Sequence, residues 1–263
     1  MTDPVQAEIA DVTEDMFLGG QLLLRQPRRG HRAGHDAILL AAATPARAGH
    51  RVVEFGAGVG AAGLAVARRV TGLDLVLVEI DDMLAALARA NAEANGIEAK
   101  VTVLDVTASA DVFAASELGP DSADIVLMNP PFNDAQRHRA SPDPARQSAH
   151  VAVADTLETW THAARRVLKS GGVLTLIWRA DGLAQVLAAL ERGFGSVGIL
   201  PVHPNPQGAA IRVIVSATKG GRAPMALHPG LVLQDPEGEG GAEAAAVLGG
   251  KAVLLLAKEP GSR

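Results

Sequence analysis

Short apolar runs alternate with amphipathic stretches from Arg51 onward. "RVVEF", "LDLVLVEI", "KVTVLD", "ADIVLMN" and "GGVLTLIW" are rich in β-branched residues and show little apolar–polar alternation, the pattern of strands covered on both faces. Between them, "AAGLAVARRV", "DDMLAALARANAEANG" and "GLAQVLAALER" repeat apolar positions at helical spacing, and Asn95-Gly96 is a C-terminal helix stop. Residues 151–168 place Val153, Leu157, Trp160, Ala164, Val167 and Leu168 on one helical face. Strands alternating with helices imply right-handed crossovers and an α/β fold, a mainly parallel sheet with helices on both faces. "GSVGILPV" and "AAIRVIVSATK" follow with no helical pattern between them, so they are expected to pair antiparallel. The tail after Gly220 is Gly-rich and acidic, and its runs "GLVLQ" and "KAVLLLA" suggest edge strands or a small cap.

Composition narrows the class. The chain has 263 residues, 48% of them apolar, enough for one large domain with appendages. No run of eighteen apolar residues occurs, so no transmembrane helix and no membrane partner are expected. The acidic start lacks the basic-then-apolar pattern of a secretory leader, and a cytoplasmic location fits. The absence of cysteine excludes disulfides, thiolate zinc sites and a Cys nucleophile. His138, His150, His203 and His228 lack metal-ligand spacing, so no metal is expected. Asp3, Glu8, Asp11, Glu14 and Asp15 account for the whole net charge of −5. The rest of the chain is neutral but holds two basic patches suited to phosphates: Arg25, Arg28, Arg29 and Arg32, then Arg137, Arg139 and Arg146.

"VVEFGAGVGAAG" sets Gly56, Gly58 and Gly60 between a strand and a helix start. Glycines there allow a tight turn and close approach of a ligand to the helix N–H groups. The stretch also matches the dinucleotide pattern G-x-G-x-x-G/A. Glu79 ends the second strand 19 residues after Gly60, where an acid can accept hydrogen bonds from ribose hydroxyls. These residues indicate a nucleotide-like ligand and leave its identity open, a nicotinamide-dependent oxidoreductase included. Two further acids change the balance. Glu54 lies two residues before the first glycine, where it would repel a pyrophosphate but suit an ammonium group. Asp105, at the expected end of the third strand, is placed for an exocyclic adenine amine.

The fourth strand runs into "LMNPPFND". An exocyclic purine amine is a poor nucleophile because its lone pair is delocalised into the ring. Asn129 Oδ1 and the Pro130 carbonyl offer two acceptors that would align it and favour charge developing on nitrogen. Pro131 restricts the backbone, and Phe132 offers a stacking face worth about 1–3 kcal/mol per base.

The E-x-G-x-G-x-G loop, Glu79, Asp105, "NPPF" and the terminal hairpin together resemble class I S-adenosylmethionine-dependent methyltransferases over residues 51 to about 218. Upstream, Gln26, Pro27, Gly30, Arg32, Asp36, Ala37, Leu39, Leu40 and Ala41 are similar to the segment that precedes the loop in bacterial adenine-N6 methyltransferases of valine tRNA. The resemblance implies a Rossmann-like sheet of seven strands in the order 3-2-1-4-5-7-6, strand seven antiparallel. It implies cofactor binding by Glu54, Gly56, Ala57, Gly58, Gly60, Glu79, Ile80, Asp105, Val106, Asn129 and Asp36, with catalysis by Asn129, Pro130, Pro131 and Phe132. It also implies S-adenosylmethionine as cofactor, S-adenosylhomocysteine as product, RNA (tRNA foremost) as partner and no obligate protein partner. The organisation expected is an acidic arm at 1–16, a methyltransferase domain at 17–218 (lead-in 17–50, core 51–218) and a tail at 219–263. Asn133 is a polar residue of the kind found after "NPPF" in rRNA guanine-N2 methyltransferases, which makes guanine N2 an alternative target. Protein-glutamine methyltransferases, which usually carry Tyr where Phe132 stands, are another.

Overall fold

The structure, a computed structural model, describes residues 12–30, 32–131, 144–235 and 240–257, and only the backbone of 144–155. The expectations at Phe132, Arg137 and Arg139, and for the Arg146 side chain, lie outside the described residues. An antiparallel hairpin of β1 (Val12–Phe17) and β2 (Leu22–Pro27) comes first, followed by α1 (His35–Ala43). Strand β3 (Arg51–Phe55), α2 (Ala61–Arg69), β4 (Asp74–Glu79), α3 (Asp82–Ala94) and β5 (Lys100–Val103) build one half of the main sheet. The other half contains α4 (Ala110–Ala115), β6 (Ala123–Met128), α5 (Pro144–Val167), β7 (Leu168–Arg179), α6 (Leu183–Leu190), β8 (Phe194–His203) and β9 (Arg212–Lys219). The sheet order is β5-β4-β3-β6-β7-β9-β8, parallel from β5 to β7, with β9 antiparallel to both neighbours. Counted from β3, this is the order 3-2-1-4-5-7-6 that the resemblance implies.

Each buried strand feeds two cores. Val52, Leu75, Leu77, Ile125 and Leu127 point to the layer containing α1, α2 and α3. Their neighbours Val53, Val76, Val78, Val126 and Met128 point to the layer containing α4, α5 and α6. The period of two therefore persists although no polar residue marks it.

The tail adds β10 (Ala226–Leu227) and β11 (Leu231–Val232), both parallel to the outer edge of β8, and α7 (Ala242–Leu248). Ala244 and Val247 of α7 share a core with Leu39 and Leu40 of α1, and the Leu254 N–H donates to the Ala42 carbonyl at 2.9 Å. On the amino side, residues 12–16 of the expected acidic arm form most of β1. Glu14 pairs with Arg25 at 2.9 Å and Asp15 with Arg32 at 2.6 Å, so those acids hold the hairpin together. Helix α5 starts earlier than its apolar stripe suggests, and β7 starts at Leu168, whose side chain is buried, before the exposed residues Lys169, Ser170 and Gly171. Among the described residues, no helix is long and apolar enough to cross a membrane.

Candidate active site

The carboxyl ends of β4, β3 and β6 are in register: Phe55 stands opposite Val78 on one side and Met128 on the other. The next residue of each strand is therefore Glu79, Gly56 and Asn129, in a row on strands about 4.8 Å apart. Strands are added outward from β3 towards β5, and the chain then returns to β6 on the other side. Such a reversal opens a crevice at the strand ends.

The glycine loop lines this crevice. Gly56, Gly58 and Gly60 have φ of +64°, +55° and +85°, the left-handed region where a Cβ is costly. A Cβ on Gly58 would meet nothing within 4 Å, so that side of the loop is open. A Cβ on Gly56 would come within 2.5 Å of the Trp160 ring. Trp160 thus backs the loop, a role that its apolar stripe does not reveal. The Glu79 carboxylate orders the loop's other flank: Oε2 accepts from the Gly58 N–H at 2.6 Å, and Oε1 accepts from Ile80 at 2.9 Å and Asp81 at 3.0 Å.

Glu54 lies beneath. It is 5% exposed, and its Oε2 accepts from the Gly63 N–H at 2.7 Å in the first turn of α2. The N-cap residue Gly60 has no side chain to offer, so Glu54 caps the helix from a neighbouring strand. Burial pushes the Glu54 carboxyl up to about 8; the Gly63 N–H opposes this and the nearby Glu79 charge adds to it. A pyrophosphate needs the helix N-terminus that Glu54 fills.

Gly63 is as confined as the loop. A Cβ there would lie 2.5 Å from Leu77 and 2.7 Å from Glu54 Oε2. Gly63→Ala is expected to destabilise the fold by about 1–3 kcal/mol, read as a lower urea midpoint. A midpoint at or above wild type would mean that this packing yields without cost.

Asn129 completes the row. Its Oδ1 is buried and has no hydrogen-bond partner among the described residues, while Pro130 is buried and Pro131 exposed. A buried acceptor without a donor leaves a hydrogen bond unmade. Asp105 lies two residues beyond β5, not at its end, exposed and with Oδ1 accepting from the Thr107 N–H at 2.7 Å. Ile80, 62% exposed, presents an apolar face beside Glu79. The side chains of Ala57 and Val106 are buried.

Asp36 is already paired: its Oδ2 accepts from Arg212 Nε at 2.9 Å. Sequence reading missed Arg212, whose partner lies 176 positions away. In the basic lead-in, Arg32 also donates to Thr13 Oγ1 and to the Pro27 carbonyl, each at 2.8 Å. The Gln26 amide, with Thr13 and Arg32, holds Asp15 below the usual carboxylate range. The acids of β1 thus offset Arg25 and Arg32, while Arg28 and Arg29 are exposed. Among the described residues, no group of three or more His, Asp or Glu is placed to hold a metal.

A tRNA1(Val) (adenine(37)-N6)-methyltransferase of Bacteroides thetaiotaomicron is 27% identical over 190 residues, 71% of this chain and 76% of its own. A ribosomal RNA small subunit methyltransferase C of Pseudomonas syringae is 31% identical over 126 residues, 48% of this chain and 31% of its own. The crystal structure of a protein from Agrobacterium tumefaciens, described as a predicted O-methyltransferase, superposes with a TM-score of 0.71 at 29% identity, covering 83% of this chain and 98% of that one. Residues 34–203, which run from the start of α1 to the end of β8 and include the whole row of strand ends, match the model of the methyltransferase small domain. The chain belongs to the methyltransferase small domain family.

Proposed function

We propose that this protein transfers a methyl group from S-adenosylmethionine to an exocyclic amine of a base in RNA, with adenine N6 in tRNA as the leading target. The observation that carries the reading is the buried, unpartnered Oδ1 of Asn129 beside the glycine loop. The open face at Gly58, the paired acids Glu54 and Glu79 and the apolar Ile80 fit a cationic nucleoside cofactor. Bound there, S-adenosylmethionine supplies an electrophilic methyl group. Asn129 Oδ1 accepts one amine N–H and the Pro130 carbonyl the other, which aims the nitrogen lone pair at that methyl. As the N–C bond forms and the C–S bond breaks, positive charge grows on nitrogen, and both acceptors stabilise it before the proton passes to water.

Guanine N2 presents the same amine to the same two acceptors, and the Pseudomonas relative is named for ribosomal RNA. The test is incubation with labelled S-adenosylmethionine and bulk tRNA, rRNA or protein, followed by nucleoside mass analysis. Label in tRNA as N6-methyladenosine is expected. N2-methylguanosine would move the target base, and label confined to protein would overturn the RNA reading.

Arg28 and Arg29, exposed at the hairpin end, are proposed to contact phosphates. Replacing both with Ala should weaken RNA binding and reduce the slope of log K against log salt by about 1 per arginine. An unchanged slope would remove this loop from the RNA surface.

A further inference from the structure

Asn91 of α3 is fully buried, and both of its amide donors and its amide oxygen are engaged. Oδ1 accepts from the Arg25 N–H at 2.7 Å, and Nδ2 donates to the Arg25 and Val59 carbonyls, each at 3.0 Å. One turn later, Asn95 treats Leu23 the same way: Oδ1 accepts from its N–H at 2.9 Å and Nδ2 donates to its carbonyl at 2.7 Å. Two helical side chains therefore stand in for a neighbouring strand along one edge of β2. The spacing matches because four helical residues rise about 6 Å and two strand residues about 6.6 Å.

The two amides differ in one bond. The remaining donor of Asn95 goes to the Asn91 carbonyl at 2.7 Å, within α3 and its cap. That of Asn91 goes to Val59, inside the glycine loop. Of the pair, only Asn91 joins the hairpin to that loop. Its amide cannot turn to follow one partner without losing the other.

We propose that Asn91 is a positioning residue that couples occupancy of the glycine loop to the order of the β1–β2 hairpin, so that cofactor binding stiffens the strand from which the Arg28–Arg29 loop springs. The coupling rests on the cofactor reading given above. A ligand that quiets the loop holds the Val59 carbonyl still, which holds the Asn91 amide and with it both backbone groups of Arg25.

Hydrogen exchange of the full chain with and without S-adenosylhomocysteine tests this. In wild type the ligand should slow exchange at residues 56–63 and also, by about 5-fold or more, at residues 22–27. In Asn91→Ala the slowing at 56–63 should persist while that at 22–27 disappears. In Asn95→Ala, which loosens β2 without touching the loop, both should remain. Ligand-dependent slowing of β2 that survives in Asn91→Ala, or is lost equally in both variants, overturns the proposal. Wild-type protection that stops at the loop also overturns it and leaves the cofactor reading intact. No protection at the loop overturns the cofactor reading and the coupling with it. Should Asn91→Ala fail to fold, Asn91→Ser, which keeps one donor for one carbonyl, is read by the same criteria.

Discussion

Asn129→Ala is expected to reduce methyl transfer by about 10²–10³-fold, the usual effect of removing one preorganised polar group from a transition state. Binding of S-adenosylhomocysteine should be unchanged, which would assign the acceptor to the amine being methylated and set aside the cofactor-binding role that the resemblance implies for Asn129. The fold gives little reason for collateral damage: among the described residues Oδ1 has no partner, so its removal breaks no hydrogen bond to them through that atom. Single-turnover rates with calorimetric titration of S-adenosylhomocysteine separate the two effects. Wild-type turnover in the variant would show that Asn129 is not the amine acceptor. Lost cofactor affinity with an unaltered single-turnover rate would move its role to the cofactor side.

The second large effect is a pH dependence written into Glu54. Its carboxyl has a pKa of about 8 in the fold against an ordinary 4.5. Between these values the native state holds a proton that the unfolded chain has released. Stability contributed by this group is therefore complete below about 4.5, falls as pH rises through the window, and levels off above about 8. The slope approaches about 1 kcal/mol per pH unit, and the whole change is on the order of a few kcal/mol. Glu54→Gln keeps an acceptor for Gly63 and carries no charge, so it should lack this decline and be the more stable protein at pH 8. Urea unfolding of both proteins from pH 5 to 8 measures the difference; parallel curves would show that burial does not raise this carboxyl. The carboxylates held low by hydrogen bonds and cations, Asp15 and Asp124 among them, lose their contributions only in more acidic solution. A ligand ammonium placed near Glu54 would favour its ionised form, so cofactor affinity in wild type should rise across the same window and stay flat in the variant.

Much of this site was legible because strands buried on both faces announce their own ends. The apolar run stops where the chain reaches the crevice, which is why Glu79 and Asn129 stand out, and the glycines mark the loop between them. Asp105 was misplaced by two residues because Leu104 continues the apolar run past the last ladder pair at Val103. The β1–β2 hairpin was harder to read. Its buried Leu22 and Leu24 alternate over too short a stretch, and Glu14 and Asp15 resemble a solvated acidic tail until their arginine partners are in place. Asn95 reads only as part of a C-terminal helix stop and Asn91 gives no signal, since backbone groups brought to them by the fold leave no trace in local pattern. The Asp36–Arg212 pair is of the same kind: Asp36 stands out in the lead-in motif, but its partner Arg212 is joined to it only by tertiary structure.

The latch between the tail and the lead-in has a consequence for the order in which the protein is made. Gln21 Nε2 donates to the Gly249 carbonyl across 228 positions, and α1 shares its core with Ala244, Val247 and Leu254. On a translating ribosome, α1 emerges about 200 residues before the segment that covers it. The nascent chain therefore carries this apolar helix face without its final cover while the rest of the sheet is being made. Refolding from denaturant, with every segment present at once, bypasses that interval.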